Sequence, residues 1–367
     1  MPELGPPFRA EHIGSLLRPA KLLEARRTFA AGETDEAAVR LVEDRAISDA
    51  IALQEEIGFQ AVTDGEFRRT IYFGHFASAV AGFEDMEAEL SFTDEAGARM
   101  RYVTNVVTGR LRRTGSIVGD DFDFVRARTR VTPKVTLPSP SGQHFFRWRE
   151  GISDRAYSDL SEFYADLAAV YREELADLGK RGASYVQLDD VAFPLLCDPA
   201  RRVEVRERGY EPDALIDAYV DLTNDALRDR PQGVVVGMHL CRGNNRGKWL
   251  GEGGYDAVAE RIFNDLDIDV FFLEYDSPRA GSFEPLRFLP KTKHVVLGLI
   301  SSKTGQLEPK DELLHRIEEA SAYLPVERLS VSPQCGFASV EAGNPLSPDD
   351  QRRKLELVVE IARTVWS

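Results

Sequence analysis

Four residues in the C-terminal half of the chain have side chains that could together bind a metal ion. His239 and Cys241 are two positions apart, Glu274 ends an apolar run, and Cys335 lies in a Ser-Pro-Gln-Cys-Gly stretch. Side chains two apart on extended backbone point to the same side. One imidazole, two thiols and one carboxylate make a ligand set that suits Zn²⁺. A histidine-x-cysteine string is short and common, so spacing alone leaves open that these residues are buried structural groups.

Further polar residues follow other β-rich runs. His12, Ser15 and Arg18 lie around the first run, Glu66 follows the second, and paired aspartates follow the fourth. The full set is His12, Ser15, Arg18, Glu66, Asp189, Asp190 and Lys303. Each has a simpler interpretation, because paired aspartates often cap helices and arginines often lie in solvent. Together they predict a cluster of polar groups where several strands end.

The elements that must position these residues alternate along the chain. Short β-rich runs are predicted at residues 8–13, 60–63, 134–137, 184–188, 234–238, 270–273, 294–299 and 328–331. Segments with helical period separate them, at residues 35–57, 154–178, 212–227, 255–265, 310–324 and 348–365. Several strands are almost wholly apolar, which is typical of a parallel sheet covered on both faces.

Eight βα units predict an α/β fold of the (β/α)8 TIM-barrel type, in which chemistry takes place at the carboxyl ends of the strands. A doubly wound open sheet is the main competitor, but no G-x-G-x-x-G follows the first run. Residues 87–113 interrupt the alternation and predict a β-hairpin excursion that turns at residues 95–97. This hairpin is expected to cover the barrel mouth or to form an oligomer contact, and residues 1–367 are expected to form one domain.

Composition excludes several classes of function. The chain has 367 residues, with 46 Lys and Arg against 61 Asp and Glu, for a net charge of −15. This acidity argues against a nucleic-acid partner and against docking on an anionic membrane. No apolar run approaches the roughly 20 residues that span a bilayer. Three cysteines are too few for a disulfide framework, so a reducing cytoplasm is the expected location.

Seven motifs occur in an order that resembles a known family. They are HIGSLLRP, TDGEFRR, PKVTLPSPS, VQLDD, MHLCRGN, FFLEYD and SVSPQCGFAS. Together they resemble the catalytic domain of cobalamin-independent methionine synthase, and especially the short, single-barrel members of that superfamily. The resemblance runs from about residue 9 to about residue 366.

The resemblance implies a catalytic zinc ion held by His239, Cys241, Glu274 and Cys335. In that family the metal binds the thiol of homocysteine as a thiolate, which attacks a methyl carbon and produces methionine. A free thiol has a pKa near 8.5 and is mostly protonated at neutral pH, whereas zinc deprotonates a coordinated thiol. Glu274, the hard oxygen ligand, is expected to be the ligand that moves when the thiol enters.

The resemblance also implies a pocket for the amino-acid part of homocysteine. Ser15 and its neighbouring amides would bind the carboxylate, and Glu66 and Asp189 would bind the ammonium group. His12 and Asp190 are the candidates for catalytic proton transfer. Arg18 and Lys303 are candidates for binding an anion.

The chain departs from the family pattern in two ways that leave the methyl donor open. The longer family members carry an extra N-terminal barrel that is not expected in this chain, and residues 300–303 read Ile-Ser-Ser-Lys where the family places a histidine. The donor could be a methylated reduced folate, a methylated corrinoid protein or a small methylated metabolite. A homo-oligomer is a further expectation.

Three other functions compete with this hypothesis. An enzyme of the epoxyalkane:coenzyme M transferase type would keep the zinc but bind a sulfonate thiol through Arg18, Arg68 or Arg242. A structural zinc site would be closed to added thiols. A zinc hydrolase is the last alternative, but two thiolates donate charge and make the metal a poorer activator of water.

Overall fold

The computed structural model describes residues 5–93 and 99–366, and it describes the side chains of residues 5–84 and 105–366. The strands are β1 (Ala61–Val62), β2 (Val80–Thr93), β3 (Arg99–Arg113), β4 (Thr132–Pro133), β5 (Val135–Pro138), β6 (Tyr185–Asp190), β7 (Val235–Leu240), β8 (Val270–Glu274), β9 (His294–Ile300) and β10 (Leu329–Pro333). The α-helices are α1 (Ala20–Ala30), α2 (Glu36–Ile57), α3 (Gly74–Ser78), α4 (Gly119–Arg126), α5 (Pro140–Phe145), α6 (Leu160–Arg181), α7 (Ala192–Leu195), α8 (Pro199–Glu207), α9 (Pro212–Leu227), α10 (Ala259–Asp265), α11 (Lys310–Ser321) and α12 (Pro348–Trp366).

The central feature is a parallel sheet of six strands in the order β10-β9-β8-β7-β6-β5. Its strands are almost wholly buried because helices connect and cover them, as the apolar runs of the sequence predict. Strands β1 and β4 form a separate parallel pair, and a single parallel bridge joins Ala10 to Val331 on β10. The fold is therefore mixed α/β with a parallel sheet, and closure into an eight-stranded barrel remains a prediction.

Register within this sheet decides which site residues become neighbours. Asp189 on β6 lies opposite His239 on β7, and Glu274 on β8 lies opposite Gly298 on β9. These polar residues occupy the last positions of strands that run in the same direction. The sheet therefore presents them along one edge, as expected for parallel strands.

Local sequence signals explain most helix boundaries. Helix α2 begins after Asp35, whose carboxylate accepts a hydrogen bond from the amide of Ala38 at 2.9 Å, and it ends at Gly58 with φ of 107°. Helix α6 begins at Leu160 after the capping residue Asp159, six residues later than predicted. The earlier start was wrong because residues 154–159 form a bend and turns that lead into the cap.

Two differences from the predicted elements lie near the start of the chain. The predicted first strand, residues 8–13, forms only the isolated bridge at Ala10, where backbone hydrogen bonds join Arg9 and Glu11 to Val331. Helix α1 was not predicted, since Pro19 before it offers no side-chain acceptor and only Leu22 is buried along it.

The predicted excursion is a long antiparallel hairpin that begins at Val80, seven residues earlier than expected. Its predicted turn, residues 95–97, lies outside the described residues. At its base, Arg113 pairs with Glu174 at 2.7 Å and with Asp177 at 2.8 Å on α6. The described end of the hairpin therefore packs on this helix.

No helix within the described residues is both long enough and apolar enough to cross a membrane.

Candidate functional site

The four residues of the predicted metal set come together in the structure. One ligand atom from each of His239, Cys241, Glu274 and Cys335 lies within 4.8 Å of all the others, and all four residues are buried. The sulfur atoms of Cys241 and Cys335 are 3.5 Å apart although 94 positions separate them in sequence. Two thiols, an imidazole and a carboxylate at this spacing fit a tetrahedral Zn²⁺ ion.

The environment of His239 supports this fit. Its two ring nitrogens are buried and make no conventional hydrogen bond within the described part of the chain. A buried polar atom without a partner is costly, so such an atom is expected to serve a ligand. The imidazole nitrogen therefore fits a metal-binding role better than a role in holding the fold.

Charges within the cluster shift the pKa values of its members. The hydrogen bond with Cys241 lowers the pKa of the Cys335 thiol well below its ordinary value, while the same contact and burial raise the pKa of Cys241. Burial raises the pKa of Glu274, and its attraction to Lys303 only partly offsets this effect. Burial would lower the pKa of His239, but Cys335 and the nearby carboxylates raise it. The four side chains therefore directly influence one another's charge.

Backbone contacts fix the geometry of the cluster. The amide of Arg242 donates to Glu274 Oε1 at 2.9 Å, and the amide of Cys241 donates to the carbonyl of Asp190 at 2.7 Å. Asn244 donates from its side chain to the carbonyl of Gly336, the residue after Cys335, at 2.8 Å. These bonds orient Glu274 and hold the two cysteine loops together.

A cavity of about 650 Å³, which includes space open to solvent, lies in front of the cluster. His239, Cys241 and Cys335 form part of its wall, and so do the predicted substrate residues Ser15, Glu66 and Asp189. Tertiary structure thus brings six of the predicted residues to a single cavity.

Glu66 and Asp189 are buried carboxylates in the wall of this cavity. Glu66 Oε1 accepts a hydrogen bond from Thr136 Oγ1 at 2.9 Å, whereas its Oε2 is buried without a partner among the described residues. Burial, and then the charge of Glu66, raises the pKa of Asp189 to about 7. Two carboxylates that destabilise one another in a cavity would both be stabilised by a bound cation.

Ser15 lies where the chain passes close to the Cys335 loop. A Cβ atom added at Gly336 would lie 1.9 Å from Ser15 Oγ, so a larger residue at this position would displace the serine hydroxyl. The carbonyl of Ser15 accepts a hydrogen bond from the amide of Phe337 at 2.9 Å. This contact joins the predicted carboxylate-binding serine to the metal cluster.

The two predicted anion-binding residues are engaged within the protein. Arg18 donates to the backbone carbonyls of Leu16, Glu66, Arg69 and Ala338. Lys303 lies 3.4 Å from Asp276 Oδ2 and 4.0 Å from Glu274 Oε2. Neither side chain lines the cavity, and the role of each in anion binding remains a prediction.

The two predicted proton-transfer residues also lie outside the cavity wall. His12 is buried beside Phe59, with Nε2 3.2 Å from the carbonyl oxygen of Ala61, and burial lowers its pKa to about 3. Asp190 accepts hydrogen bonds from Ser139 and Ser141 and from the amide of Phe193. Their catalytic roles remain predictions, and the contacts observed here hold the strands and loops in place.

Sequence reasoning did not identify the apolar wall of the cavity. This wall contains Ile71, Tyr72, Phe73, Phe146, Leu250 and Val340. The cluster Ile-Tyr-Phe after Arg68-Arg69 could have been noticed, because three large apolar residues in a loop after a strand are unusual for a solvated turn.

Comparisons with known proteins find a matching family model and related sequences. The family model for the catalytic domain of cobalamin-independent synthase matches residues 8–364. The Bacillus subtilis protein YxjH is 40% identical over 363 residues, covering 98% of this chain and 95% of that protein. A methionine synthase from Pyrococcus abyssi is 25% identical and covers 89% of this chain and 85% of that protein.

Two solved structures are similar to this chain along almost its whole length. A Listeria monocytogenes structure, described as a candidate vitamin-B12-independent methionine synthase, has a TM-score of 0.77 and 32% identity, with 98% of each chain covered. The structure of a B12-independent methionine synthase from a Shewanella species, in complex with selenomethionine, has a TM-score of 0.75. The match covers 97% of each chain. At 20% identity, the second likeness shows the fold alone.

Proposed function

Because the chain belongs to the family of cobalamin-independent synthase catalytic domains, we propose that it is a zinc-dependent methyltransferase that converts homocysteine to methionine. We also propose that its strands close into the (β/α)8 barrel of that family. The observation that carries the function is the buried set of His239, Cys241, Glu274 and Cys335. Three of these residues, His239, Cys241 and Cys335, lie in the wall of a cavity that Glu66 and Asp189 also line.

In this proposal His239, Cys241, Glu274 and Cys335 would hold a zinc ion, which when bound would favour the thiolate form of a substrate thiol at neutral pH. Glu66 and Asp189 bind the ammonium group, and Ser15 lies beside the substrate carboxylate. These contacts hold the sulfur toward the cavity, where the methyl carbon of the donor enters. Holding the two reactants in line lowers the entropic part of the barrier.

The apolar side chains of the cavity wall also contribute to the proposed reaction. Aromatic and aliphatic side chains exclude water from the space where the methyl group moves, and a drier site strengthens the electrostatic contacts on the reacting atoms. During transfer the bond from the donor to the methyl carbon breaks as the bond from sulfur to that carbon forms.

The environment of the arginines does not favour the coenzyme M alternative. Arg68 pairs with Asp44 and Asp121, while Arg242 donates to the hydroxyl of Tyr255 and the carbonyls of Glu274 and Gly253. A sulfonate would need a cationic partner in the cavity, and these guanidinium groups are used elsewhere.

Metal analysis of purified protein and two variants tests the proposal. We expect about one zinc ion per chain, and we expect it to be lost in Cys241→Ser and in Cys335→Ser. Cys197→Ser is the matched control, because Cys197 is also buried but its thiol is 3.5 Å from the carbonyl oxygen of Phe193. Zinc that persists in both test variants would rule out this metal site.

The zinc-edge X-ray absorption spectrum tests thiol binding. Homocysteine is expected to add one sulfur to the metal's ligands in the unmodified protein. A spectrum that homocysteine leaves unchanged would indicate a closed, structural metal site instead.

A further inference from the structure

Lys303 lies beside the metal cluster and is almost completely buried. Its ammonium group is in ion-pair range of two carboxylates, with Nζ 3.4 Å from Asp276 Oδ2 and 4.0 Å from Glu274 Oε2. Lys303 is 8% exposed and Glu274 is 1% exposed. Because water screens charges weakly at this depth, each group acts strongly on its neighbours. The proposed methyl transfer leaves this ammonium group without a role.

The two carboxylate oxygens of Glu274 have different surroundings. Oε1 accepts a hydrogen bond from the backbone amide of Arg242 at 2.9 Å. Oε2 is 4.0 Å from Lys303 Nζ, which is too long for a hydrogen bond but within the range of an ion pair. The lysine side chain has a flexible four-carbon stem, so a small movement brings the two groups into contact. Glu274 thus has a cationic partner within the protein, next to the metal site.

The protein holds Lys303 in this position from two sides. The preceding residue, Ser302, donates from its hydroxyl to the carbonyl of Gly336 at 2.9 Å, and its amide donates to Gln334 Oε1 at 2.6 Å. These bonds join the lysine's loop to the loop that carries the second cysteine of the cluster. Asp276 holds the ammonium group at the other end of the side chain. The lysine is therefore fixed beside the metal site.

Charge balance gives this cation a use. When a substrate thiol takes the place of Glu274 among the metal ligands, one anionic donor replaces another, and the thiol proton passes to solvent. The displaced carboxylate stays buried and loses the positive charge that stabilised it. A buried carboxylate without a cationic partner is unfavourable and would oppose the exchange. Lys303 is in position to supply the missing charge.

We propose that Lys303 is a positioning residue that receives the carboxylate of Glu274 when the substrate thiol displaces it from the metal. This inference rests on the proposed function and concerns how its metal site opens to the substrate. Before the thiol binds, Asp276 holds the lysine, and Glu274 is available to the metal. Afterwards the two carboxylates share the lysine. Lys303 thus acts through Glu274 and does not contact the substrate.

Two affinities that change in different directions test this role. In zinc-loaded Lys303→Met, homocysteine affinity measured by calorimetric titration should fall by about tenfold or more, because the carboxylate then depends on the metal and is harder to displace. Zinc affinity, measured by competition with a chelator, should equal or exceed that of the parent. Lys303→Arg should recover most of the homocysteine affinity. Loss of both affinities in Lys303→Met would show that the lysine only supports the fold, and would overturn the proposal.

A double-mutant cycle separates this role from a general effect of charge. In a Glu274→Gln background whose zinc content is verified, Lys303→Met should change homocysteine affinity by less than about twofold. An equal loss in both backgrounds would show that Lys303 attracts the thiolate directly, which contradicts the proposal. Arg279→Met is the matched control, because Arg279 lies 3.7 Å from Asp276 Oδ1 and removes a cation from the same network. It should leave homocysteine affinity unchanged.

The zinc-edge X-ray absorption spectrum shows the ligand exchange without turnover. In the parent, homocysteine should replace one oxygen ligand by one sulfur, whereas Lys303→Met should retain the oxygen at the same homocysteine concentration. Zinc and homocysteine binding that are unaffected by Lys303→Met would overturn this inference and leave the methyltransferase intact. A parent protein that binds neither zinc nor homocysteine would show that the proposed function is wrong, and this inference with it.

Discussion

At the scale of single residues, the most informative pair is Glu66 and Asp189. Both carboxylates are buried in the cavity wall, and the charge of Glu66 helps to raise the pKa of Asp189 to about 7. Buried like charges persist only where something compensates for their repulsion. Arg69 Nη1, 3.8 Å from Glu66 Oε1, compensates part of this repulsion. An ammonium group beside Glu66 and Asp189 would compensate more of it, and this is the physical reason for proposing that the amino-acid part of the substrate binds here.

Glu66→Gln tests this assignment. The variant removes one charge and keeps the shape, so homocysteine affinity should fall by about 1.5–3 kcal/mol, roughly tenfold to a hundredfold. Titration with homocysteine measures the affinity, and zinc content should be unchanged. Glu341→Gln is the control, because Glu341 pairs with Arg26 outside the cavity. Unaltered affinity for homocysteine in this variant would show that Glu66 does not bind the ammonium group.

At the scale of elements, helix α12 shows how a distant part of the chain supports the site. The side chain of Gln351 accepts a hydrogen bond from the amide of Leu17 at 2.7 Å, two residues after Ser15. The helix begins after Ser347, whose hydroxyl accepts from the amide of Asp350 at 3.1 Å, while Asp350 Oδ2 accepts from the amide of Ser347 at 2.9 Å. This reciprocal cap fixes the start of the helix.

Ser347→Ala should therefore lower the free energy of unfolding by about 1 kcal/mol, the usual cost of losing a capping hydroxyl. Urea denaturation of the variant and the unmodified protein at pH 7 measures the difference. Ser321→Ala, at the last residue of α11, should change stability less. A Ser347 variant as stable as the parent would show that the cap contributes nothing.

The same cap predicts a pH effect. Hydrogen bonds from Ser347 lower the pKa of Asp350 to about 2, below its ordinary value of 3.8. A carboxyl whose pKa is lower in the folded state stabilises that state fully above its unfolded pKa, and this contribution is lost as pH falls toward 2. The difference in stability between the parent and Asp350→Asn should shrink between pH 5 and pH 2. A constant difference over that range would contradict the assignment.

At the scale of the whole molecule, a buried ion pair connects parts of the chain that are far apart in sequence. Lys134 Nζ lies 3.0 Å from Glu11 Oε2 with both side chains fully buried, and the hydroxyl of Tyr185 donates to Glu11 Oε1 at 2.9 Å. The lysine also donates to the carbonyl of His12. The pair thus joins the first segment to the region of β5 and β6.

Lys134→Met should lower the free energy of unfolding by about 3–5 kcal/mol, because it leaves the carboxylate of Glu11 buried without a cationic partner. The double variant Lys134→Met with Glu11→Leu should recover part of this loss, as both charges are then absent. Lys310→Met, which breaks an exposed pair with Glu360, should cost about 1 kcal/mol or less. Urea denaturation of these three variants measures the changes in the free energy of unfolding. Equal losses in Lys134→Met and Lys310→Met would disprove the role of the buried pair.

The alternation of strands and helices, the family resemblance and the four metal-binding candidates could all be predicted from the sequence. Apolar strands and capping residues are local signals, and the residues at strand ends could be identified because parallel strands end at one edge. The predicted helix 348–365 differs from α12 by one residue at its end. The first strand, α1 and the start of α6 were less well determined because their local signals are weak.

Only the tertiary structure decided which polar side chains face the cavity. Arg18 donates to the carbonyl of Ala338, 320 positions away, and His12 contacts Ala61. The aromatic wall likewise combines Tyr72 and Phe73 with Phe146 from a different part of the chain. The physical reason is that a side chain's hydrogen bonds and burial depend on neighbours brought near by packing, and sequence spacing does not give those neighbours.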